Sequence, residues 1–223
     1  MEYIIRKTAQ PPELTGNWDG AIWKQANTLK IESFHPRGSN HKPGVRARLL
    51  YDDHNIYVHF KVKDQYIRSQ ITQPQGSVCW DSCVEFFFKP KPTCGYLNVE
   101  ANCGGTFLCS YIENHRRTPE GFEKFRPIDL QWLSQIRCYH SLPEVVEPEI
   151  TSAKEWQLEY ALPFSLIEAY TGPLGAISGQ TWQANFYKCG DKTSHPHWGF
   201  WAPIGEELNF HKPEKFAPIH FQA

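Results

Sequence analysis

The chain has 223 residues, a formal net charge of −1 and no apolar run of the ~18 residues that a membrane-spanning helix needs. That length can bury a sizeable core in one large all-β unit or two small ones. The even charge balance lacks the basic surplus expected of a protein that grips nucleic acid.

In chain order, the start MEYIIRKTAQPPELTG has no apolar h-region and no small-residue cleavage site. As written the chain reads as cytoplasmic, or as periplasmic or extracellular where a signal has been removed ahead of it. The segment LTGNWDGAIWKQA follows, with turn chemistry at Asn17-Trp18-Asp19-Gly20 and then a short helical turn at Ile22 and Trp23 that can tuck an aromatic ring inward. SFHPRGSNHKPG reads as a loop. VRARLLYDD (45–53) and NIYVHFKVKD (55–64) then form an expected antiparallel hairpin, joined by a turn of about three residues. In the second strand Ile56, Val58, Phe60 and Val62 alternate with Tyr57, His59, Lys61 and Lys63. CVEFFFKP ends at Pro90, and YLNVEANCGGTFLCSYI reads as a second hairpin turning at Gly104-Gly105. QIRCYHSL, EWQLEYALPF and TWQANFYKCGD supply three more strands, PFSLIEAY a short helix with Ser165 as its cap, and KFAPIHF a closing edge strand.

Eight to ten strands with little helix, fourteen phenylalanines, ten tyrosines and eight tryptophans predict an all-β fold, an antiparallel, jelly-roll-like β-sandwich with long loops. No linker, low-complexity run or internal repeat divides the chain, so residues 1–223 read as a single domain.

Polar side chains interrupt these strands at particular places. Glu85 lies between Cys83 and Phe87 on one face of its strand, while Asn98, Glu100 and Asn102 share a face of the next, and Gln183, Asn185 and Tyr187 share a face of TWQANFYKC. If neighbouring strands pair with matched faces, Glu85, Asn98, Glu100, Asn102, Asn185 and Tyr187 form one surface of fixed donors and acceptors, as sugar hydroxyls require. A wet sheet face explains such residues equally well, though Glu85 has apolar neighbours on its own face. The C-terminal third gathers His195, His197, Trp198, Trp201, Phe210 and His211 among prolines and glycines. Trp198 and Trp201 read as loop packing, and Phe210, beside His211, as a ring exposed at a site. His-Pro-His without a third ligand is weak evidence for a metal. The seven cysteines form no C-x-x-C pair and read as reduced, mostly buried thiols, which suits a reducing compartment.

LTGNWDGAIWKQA, LLYDDHNIYVHFKVKD, DSCVEFFFKP, YLNVEANCGGT, NFYKCGD and FHKPEKF occur in that order, and together they resemble the family 9 carbohydrate-binding modules and their single-domain bacterial relatives. The resemblance covers nearly the whole chain and implies a β-sandwich that binds carbohydrate without turning it over. It places Glu85 at the family's binding carboxylate, Asn102 at a binding amide, Phe210 at one of two sandwiching tryptophans, and Cys79 or Trp80 near the other. Glu100 falls where the family has a binding arginine, which inverts the charge, and Phe210 offers a smaller face than tryptophan. The resemblance also admits a structural calcium ion, for which Asp52, Asp53 and Asp64 could supply oxygen ligands.

Three other classes stay open on the residues alone. Glu85 and Glu100 could serve a glycoside-active enzyme as acid and base, since such pairs stand about 5–9.5 Å apart. A haem sandwich is disfavoured because Met1 is the only methionine. A sandwich serving as an interaction module would show an apolar patch in place of a groove.

Overall fold

The computed structural model describes all residues from Met1 to Ala223. Sixteen strands carry the fold: β1 (Tyr3–Lys7), β2 (Thr28–Ile31), β3 (Ser33–Phe34), β4 (Gly44–Tyr51), β5 (Asn55–Asp64), β6 (Ile67–Ser69), β7 (Cys83–Lys89), β8 (Tyr96–Asn102), β9 (Phe107–Thr118), β10 (Gly121–Pro127), β11 (Arg137–His140), β12 (Val146–Ile150), β13 (Lys154–Pro163), β14 (Thr181–Cys189), β15 (Trp198–Phe200) and β16 (Ala217–Phe221). Two short helices, α1 (Leu130–Leu133) and α2 (Phe164–Thr171), sit between them.

The first sheet runs β10-β9-β8-β7-β14-β16-β1, with β15 on the far half of β14 and β3 on β15; the second runs β1-β4-β5-β13-β11, with β2 on β4. β1 belongs to both. Its residues 3–5 pair with β16 and its residues 6–7 with β4, in parallel each time, so the sandwich is antiparallel except at this seam. The seam also makes β16 an interior strand, between β14 and β1, where the sequence predicts an edge. β1 is short and stops ahead of Pro11-Pro12, so its pattern gives no warning of this pairing.

Alternation along the strands builds the core. Val84, Phe86 and Phe88 of β7 face Ile56, Val58, Phe60 and Val62 of β5 across the sandwich, within one cluster of 44 buried residues that draws on both ends of the chain. Phe60 and Phe107 of opposite sheets meet Phe186 and Tyr160 edge to face. The outward face of β5 is not wet as the alternation suggests. Tyr57 and His59 are fully buried there, beneath Trp18 and Trp23, and Trp23 donates its indole N–H to Glu159 at 2.6 Å. The inward-tucked ring expected near residue 23 is therefore present, on a short 3-10 turn.

α2 starts after Pro163, and Ser165 lies inside its first turn without capping it. The hairpin expected at Gly104-Gly105 joins β8 to β9, with Gly105 at φ +88°, a conformation that favours glycine.

The outward face of the first sheet is the other place where alternation misleads. Residues 201–216 fold back over it, and Ile204 and Phe216 pack on Phe87, Tyr96, Ile112 and Tyr187. This cover, together with the β9–β10 hairpin, turns an open sheet face into a walled cavity.

Candidate functional site

The register aligns the polar residues of three strands. Glu85 of β7 stands directly opposite Glu100 of β8 on one side and Tyr187 of β14 on the other. Phe87 faces Asn98 and Asn185, and Cys83 faces Asn102 and Cys189. Directly opposed residues project to the same face, so all of these lie on the covered side of the first sheet.

A cavity of about 300 Å³ opens over the middle of this face. Glu85 and Glu100 form its floor, with Cys79 and Cys189 beside them; Asp191, Trp198, Phe210 and His211 form walls, and Arg117 stands at the mouth. Glu85 is 2% exposed and Glu100 6%. Each carboxylate has one oxygen engaged within the protein. Glu85 Oε1 accepts from the Cys189 thiol at 3.0 Å, and Glu100 Oε1 accepts from Asn98 Nδ2 at 2.7 Å.

Electrostatics follow from burial. Burial, and then the neighbouring Glu100 charge, holds the Glu85 carboxyl well above its usual range. Burial likewise lifts Glu100 to about 7, against the opposing hydrogen bond from Asn98. Two carboxyls side by side in a dry place cannot both ionise cheaply. Burial also raises Asp191, whose Oδ1 accepts from the Trp198 indole at 2.7 Å. His211 is buried enough to be held at about 3, hence neutral, and its Nδ1 lies 2.9 Å from the Tyr96 hydroxyl.

The rings are braced from behind. Phe210 stacks on Tyr187 with centroids 4.0 Å apart and planes 9° from parallel, and the Tyr187 hydroxyl donates to the Phe210 carbonyl at 3.0 Å.

Of the residues singled out in the sequence, the cavity thus gathers Glu85, Glu100, Phe210 and His211. Asn98 and Tyr187 stand one layer behind, holding Glu100 and Phe210. Asn102 and Asn185 lie on the same sheet face but outside the cavity, with their amides engaged by the protein. Asn102 donates to Ile71 O and Asp81 Oδ2 and accepts from Thr106 N, while Asn185 clasps both backbone groups of Ala202. Trp80 is 38% exposed and lies outside the cavity, under Lys192 Nζ at 3.1 Å; its neighbour Cys79 is the one that lines it. Arg117, Asp191 and Trp198 are additional wall residues. Trp198 is a strand residue of β15, whereas Trp201 is indeed core, edge-on to Phe186.

The aspartates expected to hold calcium do not form a set. Asp52 closes its own turn, accepting from the backbone of His54 and Asn55 and from the Tyr57 hydroxyl; Asp53 pairs with Lys7 at 2.6 Å. Asp64 lies at the other end of the ten-residue β5, about 30 Å away at ~3.4 Å per residue. It is buried against Lys188 (3.3 Å), His41 (2.7 Å) and the Trp156 indole (3.1 Å). Lys188 also donates to His197 Nε2 at 2.8 Å, so an ammonium already occupies the centre that His41, Asp64 and His197 would offer a metal. His195 stacks on Tyr66 and takes no part in this group.

A larger cavity, about 480 Å³, opens between the 104–107 turn, α1 and β11. Its polar groups do not converge: His140 is tied to the Leu142 carbonyl, and Glu144 contributes there without a carboxylate partner. The smaller cavity is the candidate site.

Comparison with known proteins gives a consistent picture. Residues 21–221 match the family described as carbohydrate-binding family 9. The fold superposes on a Bacteroides uniformis protein to which carbohydrate binding has been ascribed, with TM-score 0.83 and 27% identity over 99% of both chains. It also superposes on a family 9 carbohydrate-binding module from Caldicellulosiruptor kristjanssonii, in complex with cellotriose (TM-score 0.65, 12% identity, 100% of this chain and 94% of that one) and with glucose (0.62, 14%, 98% and 95%). At those identities the last two speak to the fold alone. No curated protein matches the chain.

Proposed function

The chain belongs to carbohydrate-binding family 9, and from that premise we propose that it binds a saccharide, without turning it over, in the cavity above Glu85 and Glu100. The observation that carries this reading is the pairing of a hydrogen-bonding floor with braced rings in one pocket: the Glu85 and Glu100 carboxyls beneath, Phe210 and Trp198 at the sides. Carboxyls fix hydroxyl groups in orientation, and ring faces receive the C–H face of a sugar. A volume of about 300 Å³ is at the lower end for small-molecule sites. It suits the end of a saccharide chain better than a run of rings.

Geometry argues against hydrolysis by the same two residues. An acid and a nucleophile or base must flank the scissile bond. Glu85 and Glu100 rise from adjacent strands of one sheet face and lie together on the floor, on one side of any bound ligand.

Isothermal titration with mono- and oligosaccharides, on the wild type and Glu85→Gln, tests the reading. Binding that weakens at least tenfold in Glu85→Gln, with no cleavage of aryl glycosides, supports it. Saturable binding unaffected by Glu85→Gln places the site elsewhere. Turnover that depends on Glu85 replaces the reading with an enzyme.

A further inference from the structure

We propose that the cavity selects a saccharide bearing a free amine, a hexosamine whose ammonium group is held between Glu85 and Glu100. This rests on the saccharide-binding reading above and adds the chemical class of the ligand.

Charge is the first ground. Three carboxyls, Glu85, Glu100 and Asp191, line one small cavity, and the only cationic side chain among its walls is Arg117. Arg117 is exposed at the mouth with its guanidinium over Phe122 at 4.1 Å; it forms no ion pair with either floor carboxyl, and its charge lowers Glu100 only against the larger effect of burial. His211 is neutral there.

Unmet hydrogen bonding is the second ground. Glu85 and Glu100 are each more than nine-tenths buried, yet each has only one oxygen engaged, by Cys189 and Asn98 respectively. Their second oxygens accept nothing from the protein, and both side chains border the cavity. Neither oxygen is sealed from both solvent and protein partners, so both open into the cavity, where a ligand can meet them. A hydroxyl offers one donor and no charge. An ammonium offers three donors and a full positive charge, which lets both carboxyls ionise side by side. Charge-assisted hydrogen bonds of this kind are about twice as strong as neutral ones.

The same floor brings the Cys83 and Cys189 thiols and a Glu85 oxygen within 4.8 Å of one another, which is also a thiol-and-carboxylate arrangement that a soft metal ion could take. The ring walls and the volume favour the sugar amine, and the test separates the two.

The experiment titrates wild-type protein with three matched disaccharides in chelator: cellobiose, N,N′-diacetylchitobiose and the doubly deacetylated form of the latter. These differ at C2 only, as hydroxyl, acetamide and ammonium; glucose, N-acetylglucosamine, glucosamine and galactosamine extend the set. The expected result is affinity at least tenfold higher for the amine than for its hydroxyl counterpart, with proton release visible as a buffer-dependent enthalpy.

The titratable groups around the two glutamates are Asp191, Arg117, Cys79, Cys83, Cys189, Tyr187 and His211, with the Lys188 ammonium behind the sheet. The thiols stay protonated and His211 stays neutral near pH 7, so the glutamates and Asp191 govern the response there. Affinity for the amine should rise from pH 5 to pH 7.5 as they ionise, and fall once the amine itself loses its proton. Glu100→Gln, checked for folding by its melting curve, should bring the amine-to-hydroxyl ratio toward one, and Arg117→Ala should increase it.

Equal affinity for the three disaccharides, or preference for the acetamide, overturns the proposal and leaves saccharide binding standing. Binding to none of the sugars overturns both. Saturable Zn²⁺ binding that depends on Cys189 and blocks every sugar equally would assign the floor to a metal and also overturn it.

Discussion

Glu85 and Glu100 are directly opposed residues of β7 and β8, and both carboxyls are buried at the floor of one cavity. Both ionise at higher pH in the folded chain than in the unfolded one, where a glutamate titrates near ~4.3. Between that value and about 7, where Glu100 titrates, the folded chain holds more protons than the unfolded chain. Stability must therefore fall as pH rises through this window. Glu100→Gln is neutral throughout and removes much of that slope. Its melting temperature should exceed that of the wild type by several degrees at pH 8, at roughly 2–4 °C per kcal/mol for a chain of this size. The advantage should shrink or vanish at pH 4. Parallel pH profiles for the two proteins, by differential scanning fluorimetry, would show that the buried carboxyl pair does not set this pH response.

Lys188 and Asp64 form a salt bridge in which both side chains are fully buried. Burial alone would raise the Asp64 carboxyl, but the Lys188 charge and the His41 hydrogen bond overcome it and hold the group below its usual range. Its contribution is thus present above the unfolded aspartate value of ~3.9 and is lost as pH falls below that. Removing one partner leaves the other as an unpaired buried charge. Lys188→Met should cost about 3–5 kcal/mol, measured by urea unfolding. A loss under ~1 kcal/mol would mean that water reaches this centre.

Phe210 offers its ring to the cavity because Tyr187 supports the other face. Phe210→Ala should weaken saccharide binding by about 3–10-fold, the worth of one aromatic contact. The ring is only half-buried, so the fold should persist. Phe210→Trp should restore or improve affinity. Unfolding of Phe210→Ala would instead mark the ring as a structural pin for residues 201–216.

Trp80 makes the opposite prediction. Its ring lies outside the cavity beneath Lys192, so Trp80→Ala should change monosaccharide affinity by less than about twofold, within the ~0.5 kcal/mol typical of a surface change. A larger loss with longer oligosaccharides than with monosaccharides would show that bound chains leave the cavity across this ring.

The alternation of β5, β7, β8 and β14 was enough to read the sandwich from the sequence, and Glu85 stood out because a carboxylate between Cys83 and Phe87 breaks an apolar face. Matching faces across strands likewise brought Glu85 to Glu100. What alternation does not encode is cover. Tyr57 and His59 look outward until the Trp18–Trp23 segment folds over them, and the floor of the site looks wet until residues 201–216 return across it. Arg117 and Asp191 were invisible for the same reason, since long-range folding alone brings a hairpin end and a loop to one cavity. β10 carries little apolar pattern, because every one of its residues is exposed or half-exposed.

Asn102 separates what resemblance assigns from what this structure does with the residue. It aligns with a binding amide, and it shares the face of Glu100, yet its side chain is fully buried one strand-step away from the cavity. Its amide donates to Ile71 O at 2.8 Å and to Asp81 Oδ2 at 2.9 Å, and its carbonyl accepts from Thr106 N at 2.9 Å. Asp81 in turn accepts from the backbone of Gln70 and Ile71 and from Arg68. Asn102 therefore ties the approach to β7 to the β8–β9 turn. Asn102→Ala would leave Ile71 O and Thr106 N unpaired and take one donor from a buried carboxylate, at ~1–3 kcal/mol for each group. The expected loss is about 3 kcal/mol or more of stability, with saccharide affinity unchanged at a temperature where the variant is folded. Asn102→Asp should be worse, because it sets a second negative charge beside Asp81. A stable Asn102→Ala whose affinity drops tenfold would reverse the assignment and make Asn102 a direct ligand contact.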